Sequence, residues 1–366
     1  MSFFNSLVGR YLVAQTFFGV FVAFAAVTST ILLVDLVEQF RDVGGNIELS
    51  LADAVVLTLM RAPSLIEQTM PFIILAGTMI ATLRLNSTSQ LVAMRASGVS
   101  AWRFVLPAGV LAFVIGVAVI TLLNPLGAAL YGQSELRAAE LEAQNREVPM
   151  RNGVWIRQGD ENGQVVIHAA AIQPNGARLT DADFMFFEEQ AGALKFARRV
   201  HAELAELRPG FWQLSNLVEG AAGELPIPQQ SLAIPTTLHP SELLDRFSNP
   251  ESLSFWQLPA FIAETEAAGL APVRYQMKWQ GLLAYPVMLV AMALLGAVFS
   301  LRLQRLGQMA QWGAVGVAFG LLLFFMSQMS AAFAAAQAVP PFVAAWSAPL
   351  TGVFAALAVL AFLEDG

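Results

Sequence analysis

The chain has 366 residues, of which 56% are hydrophobic and 13% charged, about half the charge density of a water-soluble domain. A mean hydropathy of +0.60 excludes a wholly soluble globule, because so much apolar surface needs hydrocarbon around it. The absence of cysteine excludes disulfides, thiolate metal sites and thiol nucleophiles, and a net charge of −7 excludes a broadly basic nucleic-acid surface.

In chain order, apolar runs occupy 12–34, 55–83, 105–123, 281–299, 312–333 and 342–363. Most are near the ~20 residues needed to cross ~30 Å of hydrocarbon. The first is too long for the apolar part of a signal peptide and continues into "LVDLVEQF" without a cleavage site, so it reads as a retained span. The second overshoots a bilayer, and Pro63 and Pro71 should bend it.

Between the second and third runs lies "RLNSTSQLVAMRASGVSAWRF", 84–104, with Arg84, Arg95 and Arg103 and no acid. A helix at about 85–99 carries a narrow apolar stripe of Leu85, Leu91, Val92, Met94 and Val99, and Gly98 can end it. Either it lies on the membrane as a loop helix, or it is a coupling helix seated in a separate ATPase.

Residues 124–280 form the one long stretch that looks water-soluble. "GVWIRQGDENGQVVIHAAAI" alternates and turns like a β-hairpin, and "FMFF" and "GFWQLSNLVEG" continue the pattern. The segment 193–207 is a conflict, since Phe196, Ala197, Val200 and Leu204 fit helical spacing, and period alone leans to helix. Two further helices bracket the domain. One, at 135–146, is a charged stalk; the other, at 255–268, carries Phe255, Trp256 and Phe261, ends at Gly269, and lies on the membrane surface or docks on the β domain.

Charge sorts the connections. The 84–104 stretch and the link bearing Arg302 and Arg305 are basic and acid-free, whereas the link after the first run holds Asp35, Glu38, Asp42, Glu48 and Asp53 against Arg41. The positive-inside rule then puts both termini in the cytoplasm and 124–280 on the far side, with Glu364 and Asp365 a small counter-signal.

Nucleotide hydrolysis by this chain is unsupported: the only lysines, Lys195 and Lys278, follow Leu and Met rather than the Gly of a P-loop. No apolar run contains the His that a serine nucleophile would need, and "HAELAE" lacks the second His of a zinc helix. Arg61 lies about 23 residues, or ~35 Å, up the second span from Arg84, near the outer headgroups. Glu67 lies lower, and Arg41 sits just past the first span. Intramembrane charges point to function, to mutual pairing or to snorkelling, and Arg41 with Arg61 is a candidate phosphate clamp. Two rival readings are a proton-driven transporter with Asp53 and Glu67 as relay, and a scaffold that only anchors the β domain.

"SQLVAMRASGVS" resembles the cytoplasmic signature of the lipopolysaccharide-export permeases, the LptF/LptG (YjgP/YjgQ) family. "RYL" at Arg10, "LVDLVEQFR", "MPFIILAG", "LSFWQLPAFIAETEAAG" and "RYQMKWQGLLAYPVMLVAMALLGAVFSLR" agree with it along nearly the whole chain, and "VDLVEQFRDVG" is most similar to the LptG branch. The resemblance implies an α-helical polytopic membrane protein with six transmembrane helices, 3+3, and a periplasmic β-jellyroll between helices 3 and 4. Its parts would be 1–130, 131–250 and 251–366, and 193–207 would be strand. It implies an inner-membrane permease of a Gram-negative bacterium, paired with an LptF-like chain on two LptB-like ATPases with an LptC-like bitopic protein. The ATPases use ATP and Mg; no cofactor or metal binds this chain. Lipopolysaccharide would leave the outer leaflet of the inner membrane for the periplasmic bridge.

Gln90, Leu91, Met94, Arg95, Ala96, Ser97 and Gly98 would then meet the ATPase. Gln90 stands where the family usually has Glu, so only a neutral hydrogen bond is available there. Arg41 and Arg61 would meet lipid phosphates, and Phe24, Met70, Phe72 and Phe325 would line an acyl-chain cavity.

Overall fold

The computed structural model describes residues 7–42, 50–144, 154–160, 163–172, 178–190, 193–208, 210–221, 226–236, 250–267, 272–301 and 309–365. The chain divides into two compact units, one of 1–140, 250–266 and 271–366, the other of 141–249 with 267–270. The first unit contains six helices long and apolar enough to cross a membrane.

In that unit α1 (Leu7–Asp42) packs along α2 (Leu51–Ser87). Glycines allow the close approach. A Cβ on Gly77 would run into the Val20 backbone, and one on Gly19 into the Gly77 carbonyl, as expected of spans packing through small residues. The short α3 (Gln90–Ala96) follows, then α4 (Ala101–Ala118), a π-helical turn (Val119–Leu123) and α5 (Asn124–Gln144). The wide turn, in which the Asn124 N–H reaches back to the Val119 carbonyl, accommodates Pro125, whose ring cannot fit a regular helix interior. Residues 135–144 of the expected stalk are thus the end of α5, continuous with the third span; 145–146 lie outside the described residues.

After the second unit come α6 (Leu258–Ala267), α7 (Val273–Leu301), α8 (Met309–Ala335) and α9 (Pro341–Asp365). Helix α7 is the centre of the bundle: it packs against α2, α4, α8 and α9. Its apolar window is 78% buried, against 17% for those of α1 and α8, which leaves α1 and α8 turned to lipid or to a partner. Helix α6 folds onto the start of α7, where Leu258, Tyr275 and Leu282 make a small core with Phe261 and Trp279. The link with Arg302 and Arg305 lies outside the described residues.

The second unit holds one antiparallel sheet of six described strands, neighbours in sequence order: β1 (Val154–Asp160), β2 (Gly163–Ile172), β3 (Arg178–Gln190), β4 (Ala193–Arg208), β5 (Phe211–Ala221) and β6 (Ile227–Pro235). Its buried face gathers Ile167, Phe184, Val200, Trp212 and Leu214, with Phe184 edge-on to Trp212 at 5.9 Å. A crease crosses the sheet. The registers pass over Ala170, Asp181, Glu203, Asn216 and Gln230, which lie opposite one another from β2 to β6. Asp181 (φ 53°) and Asn216 (φ 51°) are left-handed there, a conformation that these two residue types tolerate. Beyond the crease the buried positions change parity: Leu179 is followed by Ala182, Ala202 by Ala205, and Leu214 by Leu217. The conflict at 193–207 resolves accordingly. The segment is strand, as the resemblance implied: of the four residues that fit helical spacing only Val200 is buried, and the inward row runs Val200, Ala202, Ala205 and Leu207, with one step of three residues at the crease.

Candidate functional site

Helix α3 is held between two left-handed residues, Ser89 (φ 57°) and Gly98 (φ 85°), at the end of the bundle where α1 begins. The Tyr11 hydroxyl donates to Gln90 Oε1 at 2.7 Å, so the amide that replaces the expected carboxylate is tied to α1. Leu91 is 1% exposed, and Met94 and Val99 pack against the same core. Val92 is 52% exposed, and Ala93, Ala96, Ser97 and Gly98 are exposed with it, while Arg95 is half-buried. The expected stripe therefore splits: Leu91, Met94 and Val99 anchor the helix to its own bundle, and Val92 with the small residues faces out. The Arg84 guanidinium lies over the Phe18 ring at 4.9 Å.

A polar joint lies higher in the bundle. Pro71 has no N–H to give the carbonyl of Glu67, and the Tyr285 hydroxyl of α7 donates to that carbonyl at 2.6 Å instead. The Glu67 carboxylate accepts from Asn124 Nδ2 at 3.0 and 3.2 Å, and Asn124 Oδ1 accepts the Phe255 N–H at 2.8 Å. One buried asparagine at the π turn thus joins the second span, the third span and the segment leading into α6. Lys278 donates to the Pro250 carbonyl at 2.6 Å and pairs with Glu251 at 3.3 Å, fastening the same segment to α7. Asn124 and Tyr285 were not singled out from the sequence, because an asparagine ending an apolar run and a tyrosine within one carry no local signal.

The two candidate cations sit differently. Arg41 is exposed in the last turn of α1. Arg61 is half-buried, its guanidinium 5.9 Å from the Tyr131 ring centroid and its Nε buried without a hydrogen-bond partner. Asp53 belongs to the start of α2: Ser50 caps its N–H at 3.2 Å and Arg137 pairs with it at 3.3 Å. It lies about 21 Å from Glu67 along one helix, too far for the two carboxylates to hand a proton directly to each other. Among the described residues no group of three or more His, Asp or Glu side chains is placed to hold a metal ion.

Of the four acyl-cavity candidates, Phe72 packs on Phe324 at 5.5 Å, which in turn meets Phe325 at 6.0 Å. Phe325 is 62% exposed. Phe24 is half-buried against the bundle core, and Met70 is buried inside it.

Six membrane-length helices with α7 central among them, a short helix between the second and third, and a sheet unit inserted between the third and fourth make this a polytopic membrane protein with an inserted sheet unit. The chain belongs to the lipopolysaccharide export system permease LptF/LptG family, whose profile matches residues 10–362. It is similar to the lipopolysaccharide export system permease protein LptG of Haemophilus influenzae, with 24% identity over 332 residues, 87% of this chain and 88% of that one. Family and spans together make it a multi-pass inner-membrane permease rather than a catalytic enzyme.

Proposed function

We propose that this chain is one permease half of an ATP-driven exporter. It extracts lipopolysaccharide from the outer leaflet of the inner membrane and passes it to a periplasmic β-jellyroll bridge toward the outer membrane. The observation that carries the reading is α3: its Leu91, Met94 and Val99 are locked into the bundle while Val92, Ala93 and Ala96 face out. A helix built that way passes a push from outside directly into α2 and α4. The push comes from two LptB-like ATPases, which use ATP and Mg. An LptF-like chain completes the path and an LptC-like bitopic protein attends it.

Extraction must be driven, because each buried CH₂ is worth ~0.8 kcal/mol and a lipid A anchor has several chains. In this reading both termini are cytoplasmic and 131–250 is periplasmic, its creased sheet curling as a jellyroll about the apolar face of Phe184 and Trp212. Arg41 and Arg61 meet lipid phosphates. Phe24, Phe72 and Phe325 supply the apolar wall, which Met70 backs from the core.

The test is Val92→Asp combined with Ala96→Asp, both on the exposed face. Loss of the co-purifying ATPase and of lipid-stimulated hydrolysis, with an unchanged melting temperature, is expected. Full lipid-stimulated hydrolysis in that variant would sink the coupling role of α3.

A further inference from the structure

A partly open, largely apolar cavity of about 160 Å³ lies between α2, α7, α8 and α9. Phe72, Met277, Met288, Met292 and Phe324 contribute to its wall. Its polar groups are few. The Tyr285 hydroxyl is already spent on the Glu67 carbonyl, which leaves Ser327, and a stably bound water needs two to four polar partners. A cavity of this character stays dry, and a dry apolar cavity of roughly 150 Å³ suffices to bind benzene.

Gly281 is the second observation. It lies in the cavity wall, in the interior of α7, where glycine costs about 1 kcal/mol of helix stability relative to alanine. No neighbour requires it there, since an added Cβ would meet nothing within 4 Å. The missing side chain leaves room. The methionines suit a mobile occupant, because an unbranched thioether repacks around irregular apolar shapes.

We infer that this cavity is a binding site for the end of one acyl chain of an ordinary bilayer phospholipid. In a membrane the exchange of lipid for protein surroundings supplies no hydrophobic drive, so the gain is dispersion. Atoms lining a void have no partners on one side, and a chain end restores them. The volume selects the source: it holds part of a single chain, whereas lipid A brings several. Tyr285 touches both the cavity and the polar joint at Glu67, so occupancy bears on the junction of the spans with the segment leading into α6. The inference goes beyond the export reading, with which it shares Phe72, a residue also assigned there to the apolar wall.

The full chain in vesicles of phosphatidylethanolamine and phosphatidylglycerol, doped with a phospholipid bearing a terminal diazirine on one chain, tests it. Irradiation and peptide mass spectrometry should place adducts on Met277, Met288 or Phe324, besides those on the 66%-exposed Phe354. Gly281→Leu and, from the opposite wall, Ser327→Leu should each abolish the cavity adducts while those at Phe354 persist. Adducts at Phe354 alone in the wild-type chain would overturn the site, as would cavity adducts undiminished in both variants. A parallel arm with diazirine-bearing lipid A separates the sources. Cavity adducts from lipid A but not from the phospholipid would overturn the assignment of the occupant.

Discussion

At Pro71 a single missing N–H is balanced by a side chain from another span. Interhelical hydrogen bonds in membranes average only about 0.6 kcal/mol, because the unpaired groups find other partners. The Glu67 carbonyl lacks its regular helical partner, since Pro71 cannot donate. Tyr285→Phe should therefore cost nearer the 1–3 kcal/mol of an unsatisfied buried group. The same logic gives a rescue. Pro71→Ala restores the helical donor, so the double variant should recover most of the melting temperature lost by Tyr285→Phe in detergent. A loss that persists in the double variant would show that packing of the ring, not the hydrogen bond, is what matters. This joint was half legible: the sequence exposes the proline and the free carbonyl it implies. The donor lies 218 residues away, on a helix whose rotation only tertiary packing fixes. Asn124 is harder still, because its work depends on a π turn that no periodicity announces.

Among the elements, β4 and α3 mark where pattern reading succeeds and fails. A strand declares itself by alternation; the crease interrupts it at one row of β4, and the apolar Phe196, Ala197 and Leu204 off the buried row supplied the helical spacing instead. The signal that remained was the pair of residue types able to turn left-handed, Asp181 and Asn216. Asn216→Gly should leave the sheet nearly as stable, since glycine enters that region freely and only the exposed bond to Glu203, at 3.0 Å, is lost. Asn216→Val should cost at least the 1–2 kcal/mol of a left-handed non-glycine residue, read as faster amide exchange in β4 and β5 of the full chain. Equal exchange in the two variants would mean that the crease is not held by this residue. For α3 the sequence gives the helix and its neighbours but merges two faces. Leu91 and Val92 are adjacent apolar residues, and only packing decides that the first is an anchor and the second a contact.

On the scale of the whole molecule, span number follows from composition, and orientation is the property on which the export reading depends. Arg84, Arg95 and Arg103 stand without an acid around α3, while Asp35, Glu38 and Asp42 close α1 at the opposite end of the first span. Positive residues within short loops resist translocation and set the sense of insertion, whereas acids contribute little. The α3 end should thus face the cytoplasm, and the sheet unit, inserted after an odd number of spans, the other side. The chain has no cysteine, so each introduced thiol reports alone. Ala96→Cys, exposed on α3, should react with a membrane-impermeant maleimide only after the inner membrane is opened. Gln230→Cys, exposed on β6, should react in cells whose outer membrane alone has been made leaky. The reverse pattern would put α3 out of reach of any cytoplasmic ATPase and remove the energy source from the mechanism. Labelling of both sites before opening would mean that α2 or α4 does not span, and the six-helix count itself would fail.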